Sequence, residues 1–92
     1  MMSAPGVRAI IHIFAESNSI DKVAKQISKL PEVFDVYEVT GEFDLIALVV
    51  ARDIASFRDF LKEKILSVQG VKSVVTSIVL YTHKKEGEET GE

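Results

Sequence analysis

Two spacings of apolar residues take turns along this chain. Val7 to Phe14 (VRAIIHIF), Val33 to Thr40, Phe43 to Ala51 and Val71 to Tyr81 are dense in β-branched and aromatic residues, and polar or glycine-containing stretches flank them. Each reads as a strand. Between them Ile20, Val23, Ala24, Ile27 and Leu30 recur at helical spacing, as do Ile54, Phe57, Phe60, Leu61 and Ile65. Each set marks one buried face of a helix. Asn18 or Ser19 is placed to cap the first helix and Pro31 to stop it, while Asp53 caps the second and Gly70 ends it. Gly41 and Glu42 alone separate the second and third strands, which predicts a two-residue hairpin loop.

The predicted order is β-α-β-β-α-β, and its halves echo each other. Ile27, Leu30, Val33 and Val36 fall on Ile65, Val68, Val71 and Val74 at a constant offset of 38 residues. Two such β-α-β units with right-handed crossovers give a four-stranded antiparallel sheet with both helices on one face. The expected class is therefore α+β, ferredoxin-like. Residues 1–6 are expected to be disordered, 7–82 to form the domain, and 83–92 to be a flexible acidic tail that frays.

An antiparallel sheet with one wet face alternates apolar and polar residues, and this one does not. The third strand offers Phe43, Leu45, Ala47 and Val49 on one side and Ile46, Leu48 and Val50 on the other. The first strand sets Val7, Ala9, Ile11 and Ile13 against Ile10 and Phe14. Two helices cover only one of these faces. The other predicts a twofold partner pressing its own sheet against this one, the dimeric α+β barrel type of arrangement, with Ile10, Ile46, Leu48 and Ile78 as contact residues.

Composition narrows the function. The chain has 92 residues, enough for one core. It contains no Cys, which excludes disulfides and thiolate chemistry and points to a reducing, cytoplasmic setting. No apolar run approaches the roughly 20 residues of a membrane helix. A net charge of −3 argues against direct nucleic-acid binding. His12 and His83 lie far apart with no metal-ligand spacing, so neither a metal nor another cofactor is expected.

The stretch LPEVFDVYEVTGEFDLIALVVARD, followed by ILSVQGVKSVVTSIVL, resembles the effector-binding (RAM) domain of the Lrp/AsnC, or feast/famine, regulators. The string Thr40–Asp44 is the most specific part of that likeness, and Gly70-Val71 and Thr76-Ser77 support it. DNA-binding members carry a helix-turn-helix domain ahead of this one, and only six residues precede the first strand here, so a stand-alone module is expected. The resemblance implies dimers that associate into octameric or decameric rings, an amino acid or similar small effector bound where dimers meet, and full-length Lrp/AsnC proteins as possible partners.

An α-amino acid needs an acceptor for its ammonium and donors for its carboxylate. Thr40, Gly41, Glu42, Phe43 and Asp44 form the candidate ligand turn, with Glu42 or Asp44 meeting the ammonium and Gly41 letting the backbone approach closely. Arg52 is a candidate for the carboxylate, and Thr76 and Ser77 are candidates from another subunit or the far rim. Plainer roles compete: Gly41 as a hairpin residue, Glu42 and Arg52 as solvated charges, Asp44 as a cap for backbone amides. The expected function is a non-enzymatic effector-binding module that couples ligand to assembly. The alternatives are a small dimeric barrel enzyme, similar to cofactor-free monooxygenases and using His12 or Tyr37, or a purely structural dimerisation unit.

Overall fold

A computed structural model describes residues 6–91. Four strands, β1 (Val7–Ala15), β2 (Val33–Glu38), β3 (Leu45–Ala51) and β4 (Val71–Ile78), form one sheet in the order β2-β3-β1-β4, every pairing antiparallel. This is the ferredoxin-like order expected of two linked β-α-β units. Helices α1 (Ile20–Ser28) and α2 (Ile54–Phe60) supply the second layer. Odd-numbered residues of β1 and β3, Ala9 to Ala15 and Leu45 to Ala51, are buried, because in a strand every second side chain points the same way. Val23, Ile27, Phe57, Phe60 and Ile65 close on them to make the core.

Several boundaries differ from those predicted. β2 ends at Glu38 and β3 begins at Leu45, so the connection runs from Val39 to Asp44 and is no two-residue hairpin. Val39 N donates to Asp44 O at 3.1 Å and closes it. Ser19 stands at the N-cap of α1 without a side-chain capping bond. A 3-10 turn, Ser17–Ser19, precedes the helix, and the Ser19 amide donates to Glu16 O at 2.8 Å. The tail expected to fray holds a hairpin of β5 (Lys84–Lys85) and β6 (Glu88–Glu89), turning through Glu86 at φ 50° and Gly87 at φ 82°. Two successive positive φ values suit a tight hairpin turn, and Lys84 faces Glu89 and Lys85 faces Glu88 with opposite charge. Of the predicted disordered N-terminus, residues 1–5 lie outside the described residues.

Asp53 caps α2 as expected: its Oδ1 accepts from Ser56 N at 2.8 Å. That bond holds the Asp53 carboxyl below its usual range. A depressed folded-state pKa contributes stability above the unfolded value near 3.8, and that contribution is lost as pH falls through the folded pKa. Asp53→Ala is expected to lower Tm by a few degrees at pH 7 and to flatten the acid limb of a Tm-against-pH curve below pH ~4. An acid limb identical to wild type would show that the cap carries no such stabilisation.

Gly70 turns the chain from α2 into β4 with φ 102°. A Cβ there would meet Ser19 Cβ at 2.8 Å and Val23 Cγ2 at 2.9 Å. Gly70→Ala therefore adds a positive-φ penalty to a clash with α1, and about 1–3 kcal/mol should be lost in urea unfolding. An unchanged midpoint would mean that α1 moves aside freely.

Candidate functional site

The Val39–Asp44 connection is built against β1. Asp44 N donates to Ile13 O at 3.0 Å, and Asp44 Oδ2 accepts from Ala15 N at 2.9 Å. Asp44 thus acts on the backbone, as one of its alternative readings held, with its second carboxylate oxygen left over. Phe43 is half-buried, its ring 4.7 Å from both His12 and Phe14. These contacts draw Phe43 and Asp44 out of strand geometry and explain the longer connection. Thr40, Gly41 and Glu42 project from this aromatic base and are exposed. Gly41 adopts φ 115°, and nothing lies within 4 Å of where its Cβ would stand, so its turn face is open.

The remaining candidates are dispersed within one protomer. Arg52 lies at the other end of β3, about 25 Å from Asp44 at strand rise. Its side chain is 82% exposed, bonds Ser56 Oγ at 3.1 Å and pairs with Asp53 at 3.6 Å. Thr76 and Ser77 pair with Ile11 and Ile10 on the far side of β1 from β3. They are two strand spacings, about 10 Å, from the turn before any offset along the strands.

The sheet face away from the helices is apolar and uncovered in the single chain. Across it, Tyr37, Ile46, His12 and Val75 form one row, and Asp35, Leu48, Ile10 and Ser77 form the next. Tyr37 is 52% and Val75 50% exposed, and Phe34, at a bulge in β2, is 70% exposed. Ile10, Ile46 and Leu48 lie on this face as expected. Ile78 does not: it pairs with Ala9, whose side chain is buried on the helix side, so Val75 and Ser77 take the place assigned to it. A recess of 240 Å³ at the Arg8 end is lined by Ile10, Leu48 and Val50 together with Arg8, Asp35 and Lys84. Arg8 Nη2 donates to Thr82 Oγ1 at 2.6 Å, tying the tail to β1.

The turn and the apolar face meet at His12. Its Nδ1 is shielded from solvent and has no hydrogen-bond partner among the described residues. His12 and Tyr37 share a row with Ile46 between them, about 10 Å apart at Cα, so within one protomer they form no hydrogen-bonded catalytic pair. The alliance of Phe43 with His12 and Phe14 is a feature that sequence reasoning missed. Its signal was present in two ring-bearing residues at i and i+2 on one strand face.

A ferredoxin-like α+β module with helices on one side, an apolar face on the other and a glycine-acid turn at its rim is the class these elements define. The chain belongs to the Lrp/AsnC ligand-binding domain family, whose sequence pattern matches residues 8–89. It is 30% identical over 78 residues to the HTH-type transcriptional regulator Ptr1 of Methanocaldococcus jannaschii, covering 85% of this chain and 53% of that protein. It is 33% identical over 82 residues to the transcriptional regulator AzlB of Bacillus subtilis, covering 89% and 46%. The chain spans about half the length of the curated relatives it matches. Among solved structures, TTHA0845 from Thermus thermophilus superposes with a TM-score of 0.80 at 32% identity, over 86% of this chain and 99% of that one. The transcriptional regulator NMB0573 of Neisseria meningitidis, in complex with L-Met, superposes with 0.79 at 25% identity, over 100% and 62%.

Proposed function

We propose that this chain is an amino-acid-responsive assembly module. Two copies press their apolar sheet faces together, dimers associate further into rings, and an amino acid binds at the Thr40–Asp44 turn between neighbouring dimers. The observation that carries the reading is the exposed glycine-acid turn seated on the His12–Phe14–Phe43 cluster at the rim of an uncovered apolar face. The free oxygen of Asp44 and the Glu42 carboxylate suit an ammonium, and turn amides suit a carboxylate. Thr76, Ser77 and Arg52 join the site only from an adjoining subunit. The L-Met bound to the Neisseria relative supports an amino acid as the ligand class. Transcriptional regulators among the relatives support a cytoplasmic role in gene control, exercised through full-length family members.

Ligand shifts assembly only by its differential affinity for the two states, and assembly shifts ligand affinity equally. A thermal-shift screen of the twenty amino acids, with light scattering on the same samples, tests both halves. One or a few amino acids should raise Tm, by an amount equivalent to about 2.7 kcal/mol at a hundredfold excess over Kd, and should change the mass distribution. Stabilisation by none of them would remove the effector role, and a monomeric mass throughout would remove the assembly.

A further inference from the structure

The helix layer holds a second recess, across the sheet from the apolar face. It is a groove of 420 Å³ between α1 and the segment that follows α2. Ser19, Lys22 and Gln26 line one wall, at the i, i+3 and i+7 spacing that puts side chains on a single helical stripe. The opposite wall carries Lys64, Ser67 and Gln69. Leu30 and Val68 add an apolar part. The lining therefore brings two ammonium groups, two carboxamides and two hydroxyls together, and one carboxylate, Glu32, adjoins it through its 3.0 Å bond to Lys64.

The backbone of the second wall is unusual. After Phe60 the helix widens into a π-turn, Leu61–Ile65, in which Leu66 N donates to Leu61 O at 2.9 Å. Single π-turns inside helices are rare and cluster at functional sites. Lys64 sits in this turn, and Ser67 to Gln69 follow directly from it. Lys64 Nζ donates to Glu32 Oε2 at 3.0 Å, which fixes the ammonium beside the groove while two of its three donors stay available.

We propose that this groove binds a small oxyanion carrying at least two negative charges, a phosphate ester or a polycarboxylate. Ammonium groups from two elements meet the charge, and the carboxamides and hydroxyls take the remaining oxygens. The volume falls in the range of ordinary small-molecule sites and exceeds what an inorganic anion fills. The site is separate from the proposed amino-acid turn, so each stands or falls without the other.

Amine-reactive acetylation of the full chain, read lysine by lysine by mass spectrometry, provides the test. Sodium pyrophosphate and citrate serve as probes in separate arms, with sodium chloride matching the ionic strength. At saturation, Lys22 and Lys64 should be protected while exposed Lys72 and Lys84 react as before. Lys22→Gln, on an exposed position of α1, should raise the concentration that half-protects Lys64 about tenfold. Protection by pyrophosphate alone identifies a phosphorylated ligand, and protection by both identifies a general polyanion. Uniform protection of all four lysines, no protection at all, or an unchanged half-point in Lys22→Gln would overturn the proposal.

Discussion

On the proposed sheet-to-sheet dimer, Ile46→Glu is expected to yield a monomer without unfolding it. Ile46 occupies the middle of the open face, with Tyr37 on one side and His12 on the other. Its chain neighbours Leu45 and Ala47 point into the core and are fully buried, so the substitution leaves the helix-side packing untouched. In a sheet-to-sheet dimer the new carboxylate would lie among apolar side chains of both copies. An unpaired buried charge costs several kcal/mol, more than the margin of many small interfaces. Light scattering at tens of micromolar should report a dimer or larger species for wild type and a monomer for Ile46→Glu, with unchanged far-UV circular dichroism. Leu66→Glu is the control, since Leu66 follows the π-turn on the helix side and is already 46% exposed; its mass should match wild type. A dimer that survives Ile46→Glu would place the interface elsewhere.

The alternation that pointed to two apolar faces was legible because it depends only on period two within one strand. Ile46 and Leu48 follow from Leu45 and Ala47 whatever the register. Ile78 shows where that reasoning stops. Whether it shares a face with Ile10 depends on the pairing of β1 with β4, and a shift of one residue moves a whole strand to the other side. The pairing sets Ile10 against Ser77 and breaks register between Phe14 and Ala15, neither of which local sequence dictates. Arg52 is separated from Asp44 within one protomer for a related reason: nearness in sequence along an extended strand is distance in space. The turn residues were identified by type, but Phe43 and Asp44 look like strand residues, and only their contacts with β1 pull them out of the strand. The π-turn left no trace in apolar spacing, since Phe57, Phe60 and Ile65 are buried all the same. In the tail, a polar, acidic stretch that suggested fraying becomes cross-strand pairing once Glu86-Gly87 folds it back.

Asp44→Ala is expected to lower stability by about 1–3 kcal/mol, because it leaves the part-buried Ala15 amide without its acceptor. For a chain of this size, Tm should fall by roughly 5 to 15 °C. The loss is structural, so it reduces any amino-acid binding as well by loosening the base on which Gly41 and Glu42 stand. Asp44→Asn separates the two roles. An asparagine keeps a neutral oxygen acceptor for Ala15 N, and its Tm should return most of the way to wild type. It gives up the negative charge, and with it the attraction for a ligand ammonium that Asp44 Oδ1 is left to provide. The expected pattern is therefore a near-normal Tm in Asp44→Asn without ligand, and a much smaller rise when the stabilising amino acid is added. If Asp44→Asn responds to that amino acid as fully as wild type, the carboxylate serves the backbone alone, and Glu42 is the acid left to meet the ammonium. If Asp44→Ala melts with wild type, the bond to Ala15 contributes nothing and the turn is held by the edge-on and tilted packing of Phe43 against His12 and Phe14.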